Sequence, residues 1–205
     1  NLTDKIEFIN SVLNELYPEP DIPLDHDNNF TFLIAVLLSA QSTDKKVNEI
    51  TPKLFSKANT PKKMDTLSEN EIRTIIREIG LAPTKAKNIK KTCKQLLERH
   101  NGKVPDNFED LEKLPGVGHK TASVMMAQAF NVPAFPVDTH IHRLAFRWGM
   151  SNGKNVQTTE RDLKATFEEK DWNRLHLQMI FYGREYCQAR KKICECKICS
   201  FVRKS

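Results

Sequence analysis

The chain has 205 residues, with 32 Lys and Arg against 26 Asp and Glu and a formal charge of +6, so it is moderately basic. At 39% hydrophobic and 28% charged residues it holds enough apolar material for one or two packed domains, which excludes disordered and collagen-like classes. The longest apolar run, residues 30–40, is well short of the roughly 20 residues that cross a bilayer. No membrane partner is therefore expected, and the lack of a charged and apolar signal pair at the start points to a reducing, intracellular, cytoplasmic address.

In chain order, apolar spacing of the helical kind predicts a helix near 2–16, a buried helix over 30–40, and further helices near 43–57, 69–79, 84–99, 119–130, 139–148, 159–168 and 171–186. Strand-type alternation is nowhere sustained, so the class is all-α. Ser68 with Glu71 forms a capping box at the start of the 69–79 helix, and Gly80 stands where a C-terminal stop is expected. Pro18, Pro20 and Pro23, and again Pro133 and Pro136, punctuate the chain as candidate domain boundaries.

Charge is unevenly placed along these elements. Residues 1–30 carry seven acids against Lys5; residues 81–103 carry seven bases against Glu98; residues 184–205 carry seven bases against Glu185 and Glu195. A lysine-rich helical face is commonly solvated surface. Clustered bases are also what phosphate neutralisation on nucleic acid requires.

Three constellations carry chemistry. The first is Leu114-Pro115-Gly116-Val117-Gly118-His119-Lys120, between two short apolar-periodic segments. Two glycines one residue apart let another chain approach the backbone and turn the next helix's N-terminus toward an anion such as a DNA phosphate. An ordinary helix–helix turn is the plainer reading, but the flanking leucines and the Pro-Gly-Val-Gly string resemble the helix-hairpin-helix motif.

The second constellation is Lys120 with Asp138. Lys120 falls in the first turn of a helix, where the macrodipole disfavours an ammonium, so it is either one more phosphate contact or a nucleophilic amine. Asp138 precedes a helical pattern as a preferred N-cap, and a carboxylate held there stays ionised and suited to steering a lysine's proton.

The third is Cys187, Cys194, Cys196 and Cys199, a C-x6-C-x-C-x2-C array that argues for metal rather than disulfides. Zinc and an iron–sulfur cluster both accept four thiolates, and spacing alone leaves zinc the more frequent answer. Cys93 reads as an isolated buried thiol.

The ordered set of Leu37-Leu-Ser-Ala-Gln41-Ser-Thr-Asp44, Gly80-Leu81 followed by Lys85-Ala-Lys-Asn-Ile, the hairpin with Lys120, Val137-Asp-Thr-His140 and Gly183-Arg through the cysteines resembles the endonuclease III family of helix-hairpin-helix DNA glycosylases and abasic-site lyases. The resemblance covers nearly the whole chain. It implies a six-helix domain over 22–132 and a second domain of 1–21 with 133–205, with DNA in the groove between them and Lys120 facing Asp138 across a flipped nucleotide.

It further implies attack of Lys120 on C1′, a Schiff base and β-elimination, with Asp138 activating the amine. Gln41 would fill the gap of the flipped nucleotide and Leu81 would wedge the other strand, core packing being the alternative for Leu81. Gly116, Val117 and Gly118 would hold a phosphate, with a monovalent cation at the hairpin. His140, Arg143, Arg184, Arg190 and Lys191 are weaker DNA-contact candidates. The partner so implied is double-stranded DNA carrying damaged pyrimidines or abasic sites, met by a monomer near the nucleoid.

For the cysteines the family implies a [4Fe-4S] cluster, usually on C-x6-C-x2-C-x5-C. Here only Cys187 and Cys194 keep that spacing. Either Cys196 and Cys199 complete the set in a shortened loop, or the fourth ligand is missing at Ser205 and the cofactor is altered or lost. Adenine-mismatch glycosylases lack the lysine, and 8-oxoguanine glycosylase/lyases lack the cluster, so both fit less well. A zinc-stabilised, non-catalytic DNA-binding module is the rival from another class.

Overall fold

The computed structural model describes residues 1–190 and 193–204. Among them all regular structure is helical, and the chain divides into two compact units, Ile22–Phe130 and Asn1–Asp21 with Asn131–Ser205.

In the unit of Ile22–Phe130 the centre is α2 (Asn29–Ser39), buried from Phe30 to Leu38. A helix apolar all round needs cover on every side, and α3 (Asp44–Lys57), α6 (Ala82–Arg99) and a π-turn at Met125–Ala129 supply it. Asn28 starts α2 with a capping box: its Oδ1 accepts from the Thr31 N–H at 2.9 Å, and Thr31 Oγ1 accepts from the Asn28 N–H at 3.0 Å. α4 (Pro61–Thr66), absent from the sequence expectations, begins at Thr60 with proline at its first turn and packs on α6. The Lys90 ammonium bridges these two helices at 3.1 Å from Asp65 Oδ1.

The Ser68–Glu71 capping box forms, with bonds of 3.1 and 2.7 Å. Its helix α5 (Glu69–Ile75) stops short of residue 79. Ile76 and Ile79 stay buried, but the chain turns so that the Gly80 N–H can donate to Ser42 Oγ at 3.1 Å. Gly80 is thus not the residue at which the helix stops, as the sequence suggested: α5 has already ended at Ile75, and Gly80 is engaged by another loop. α7 (Phe108–Glu112) and α8 (His119–Val124) follow, α8 running into the π-turn.

In the other unit, α1 (Leu2–Leu16) buries Ile9, Val12 and Leu13 against α11 (Trp172–Glu185) and α12 (Lys197–Lys204). α9 (Thr139–Arg147) lies between α10 (Val156–Thr166) and α11. α10 starts earlier than expected because Asn155 Oδ1 caps the Thr158 N–H at 2.7 Å. α12 is too short to be legible from periodicity and is fixed by its neighbours. Phe201 stacks on Phe8 with centroids 3.9 Å apart, Lys197 lies 3.1 Å from Glu15, and the Ile198 N–H donates to the Tyr182 hydroxyl at 3.2 Å. No helix among the described residues is long and apolar enough to cross a membrane.

Candidate nucleic-acid interface and metal centre

The hairpin is built from the inside out. Leu111, Leu114, Val117, Ala122 and Met125 are buried anchors, while Gly116, Gly118, His119 and Lys120 are exposed. The Val117 N–H donates to Leu114 O at 3.1 Å, which closes the turn. Gly116 has φ +79, and a Cβ there would lie 3.0 Å from Asn88 Nδ2 and 3.6 Å from Leu37 Cδ2, so both conformation and space require glycine. Gly118 caps α8 with no side-chain oxygen, which leaves the first-turn amides without a side-chain acceptor. Because the Val117 side chain is buried, an anion there would meet its backbone. His119 is held by Glu112 at 2.9 Å and stacks on Phe108, and Lys120 projects from the first turn of α8, exposed.

Gln41 and Leu81 belong to the same unit. Both are exposed, and Leu81 is 53% accessible, which removes core packing as its role.

Asp138 is the N-cap of α9. Its Oδ1 accepts from the Ile141 N–H at 2.8 Å, while among the described residues Oδ2 accepts no hydrogen bond. Burial pulls the neighbouring His140 imidazole below its ordinary pKa; Asp138 opposes this, and Arg143 and Arg184 add to it. Arg143 lies one turn further along. Its guanidinium donates to His140 Nδ1 at 3.2 Å, Gly183 O at 3.2 Å and Cys187 O at 2.9 Å.

Sequence reasoning missed Arg147, four residues beyond Arg143 and so on the same helix face. It donates to Cys187 Sγ at 3.2 Å and Gln188 O at 3.0 Å. The i, i+4 arginine pair was the only local signal, and the array it serves lies 40 residues further along the chain. Arg184 and Arg190 are exposed, and Lys191 lies outside the described residues.

Cys187, Cys194, Cys196 and Cys199 converge, with all four Sγ atoms within 4.8 Å of one another. Three of the four are buried, Cys196 being half-buried. Cys196 immediately precedes α12 and Cys199 sits in its first turn, with the Ser200 N–H donating to Cys196 O at 2.9 Å. Arg203 donates to Cys194 O at 2.6 Å. Hydrogen bonding from Cys196 pushes the Cys187 thiol up to about 11. Hydrogen bonds from Cys187 and Cys199 hold Cys196 below the usual thiol range, so the four sulfurs titrate as one coupled group. A donor set of four sulfurs with no histidine or carboxylate suits a thiophilic metal centre, and binding would release the remaining protons. The four cysteines could therefore hold a metal cluster.

A helical fold in which a Pro-Gly-Val-Gly turn opens a lysine-bearing helix defines a helix-hairpin-helix protein, and residues 34–169 match the HhH-GPD superfamily of base excision DNA repair proteins. Within it the chain belongs to the endonuclease III family. It is 44% identical over 194 residues to Endonuclease III of Haemophilus influenzae, covering 95% of this chain and 92% of the relative. To Endonuclease III of Bacillus subtilis it is 40% identical over 201 residues, covering 97% and 92%. A solved structure of a trapped Endonuclease III–DNA covalent intermediate, an estranged-adenine complex, is similar with a TM-score of 0.90 and 37% identity, covering 100% of this chain and 99% of that one.

Proposed function

We propose that this protein is a bifunctional base-excision repair enzyme that removes oxidised pyrimidines from double-stranded DNA and cuts the strand at the resulting abasic site. The observation that carries the reading is Lys120, an exposed amine in the first turn of the helix that follows the hairpin, in a chain similar along its whole length to a covalently trapped DNA complex.

The Lys120 nitrogen lone pair attacks C1′, and the glycosidic bond breaks with its electrons going to the base, which takes up a proton. The adduct loses a proton and opens at the C1′–O4′ bond to a Schiff base. Removal of a C2′ proton then expels the 3′ phosphate, and water releases the lysine. Asp138, its Oδ1 engaged by the α9 amide, accepts the amine's proton and stabilises the cationic sugar.

Gly116, Val117 and Gly118 offer backbone to a phosphate and to a monovalent cation. Gln41 and Leu81 enter the duplex, Arg143, Arg184, Arg190 and Lys191 add charge toward DNA, and His140 serves as a neutral polar contact. Domains 22–132 and 1–21 with 133–205 divide this work in a monomer acting on nucleoid DNA. Cys187, Cys194, Cys196 and Cys199 would hold the family's [4Fe-4S] cluster in a shortened loop. Such a cluster supplies a rigid four-point cross-link for the basic segment that carries it.

Borohydride trapping on duplex DNA with one abasic site tests the core of the reading. Wild type is expected to give a covalent adduct and Lys120→Gln none. Absence of the adduct in wild type, or its persistence in the variant, overturns it.

A further inference from the structure

Among the basic residues of α6, Lys85 stands apart. Lys87, Lys91 and Lys94 are exposed, yet Lys85 is 7% accessible. Its ammonium has no carboxylate beside it among the described residues and instead donates to Leu38 O at 3.0 Å and to Ala40 O. These carbonyls lie at the C-terminal end of α2, whose last turn carries no basic residue of its own. Lys85 therefore caps a neighbouring helix, meeting carbonyls the helix leaves orphaned and the negative end of its dipole. Burial pulls its pKa below the ordinary lysine value, but the amine is occupied by two carbonyls and enclosed, so it is no rival nucleophile. A buried unpaired cation is a costly way to fill space that an apolar side chain would fill more cheaply.

What Lys85 holds explains why it stands there. The residue after Ala40 is Gln41, at φ +57, and the residue that opens α6 is Leu81, at φ +60. The other non-glycine residues in this region, Asn101 and Asn131, are of a type that tolerates left-handed backbone. Glutamine and leucine do so rarely, because the side chain crowds the backbone there, so each is strained. The Lys85 side chain bonds directly beside Gln41, at Ala40 O, while its backbone N–H makes the ordinary first bond of α6 to Leu81 O at 3.0 Å, so the lysine ties the helix turn that Leu81 opens to the end of α2. A second tie runs alongside, from the Gly80 N–H to Ser42 Oγ at 3.1 Å. The two loops touch there, since a Cβ on Gly80 would lie 2.9 Å from Gln41 O.

The geometry points to Lys85 as a positioning residue that locks Gln41 and Leu81 into one preformed, two-pronged wedge for opening duplex DNA. The strain is met on folding, so the prongs need not be ordered when DNA binds, which is where preorganisation gains affinity and rate. The inference rests on the proposed entry of Gln41 and Leu81 into the duplex.

The test compares strand cleavage at one abasic site in a duplex and in the same oligonucleotide single-stranded, where no partner strand has to be parted. Lys85→Met is expected to lower kcat/KM on the duplex by roughly 10- to 100-fold with single-strand cleavage unchanged, and Lys85→Arg, which keeps a cationic donor, to restore part of the loss. Fluorescence of 2-aminopurine opposite the site should fall in parallel. Ser42→Ala cuts the second tie without exposing a charge and should shift the same ratio less, so the proposal stays testable if Lys85→Met does not fold. A duplex-to-single-strand ratio unchanged in folded Lys85→Met, or in Ser42→Ala where Lys85→Met does not fold, overturns it, as do equal losses on both substrates. The double variant Gln41→Ala, Leu81→Ala separates the two layers. If it leaves the ratio unchanged, the proposed duplex entry fails; if it lowers the ratio and Lys85→Met does not, only the clamp fails.

Discussion

At the scale of single residues, the chain gives ordinary structural jobs to groups that also carry chemistry. Asp138 caps α9 through one carboxylate oxygen, and Asn caps about as well as Asp. Asp138→Asn should therefore change stability by no more than a few tenths of a kcal/mol while slowing base release by roughly 100-fold or more, with duplex binding retained. Urea denaturation, single-turnover kinetics and a gel-shift titration on one preparation check this, and loss of binding alone would count against a catalytic role. Lys85 shows the reverse case. From the sequence it was one of seven bases between residues 81 and 103 and read as solvated surface or phosphate contact. Burial depends on which carbonyls another helix brings to it, and no local pattern encodes that.

At the scale of elements, the hairpin was the most legible feature, because a Pro-Gly-Val-Gly string is a local solution to a local geometry. Its two glycines are constrained differently. Gly116→Ala would force a side chain into φ +79 and to 3.0 Å from Asn88, so a loss of about 1–3 kcal/mol is expected in chemical denaturation. Gly118 has φ −94 and nothing within 4 Å of an added Cβ. Gly118→Ala should cost less than about 1 kcal/mol yet weaken binding to undamaged duplex several-fold, by placing a methyl beside the first-turn amides. A large stability loss at Gly118 with unchanged DNA binding would return the motif to a plain helix–helix turn. The Ser68–Glu71 capping box was equally local, whereas α4 was too short to show a period despite its Thr60 cap and Pro61, and the existence of α12 followed from bonds to distant residues.

At the scale of the molecule, the modest formal charge of +6 is the balance of an acidic amino end and two basic stretches, and the last of these contains the cysteines. Residues 187–199 are held at four points by the converged thiols, while Arg147 and Arg203 tie the same loop to its surroundings. A cross-link closing a loop of this length is worth about 3 kcal/mol, which corresponds to roughly 10 °C in a chain of this size. Stripping the metal should lower Tm by about that much and open the loop and α12 to proteolysis while the Ile22–Phe130 unit stays resistant. Differential scanning calorimetry with mass spectrometry of the cut sites checks this. Iron with acid-labile sulfide in the intact protein is expected, and zinc without sulfide would replace the cluster.

The sequence by itself determined the all-α class, the hairpin, the lysine after it, the aspartate cap and the four sulfurs, because each depends on residues a few positions apart. The tertiary structure alone decided that the compressed cysteine array still brings four sulfurs together, that Leu81 is exposed rather than core, and that Arg143 and Arg147 hold the loop entering the array. It also decided that one lysine of a basic helix is enclosed beneath two strained loops. Those outcomes are set by backbone carbonyls and side chains that meet only once the helices have packed, and a pattern of residue types along the chain does not specify such meetings.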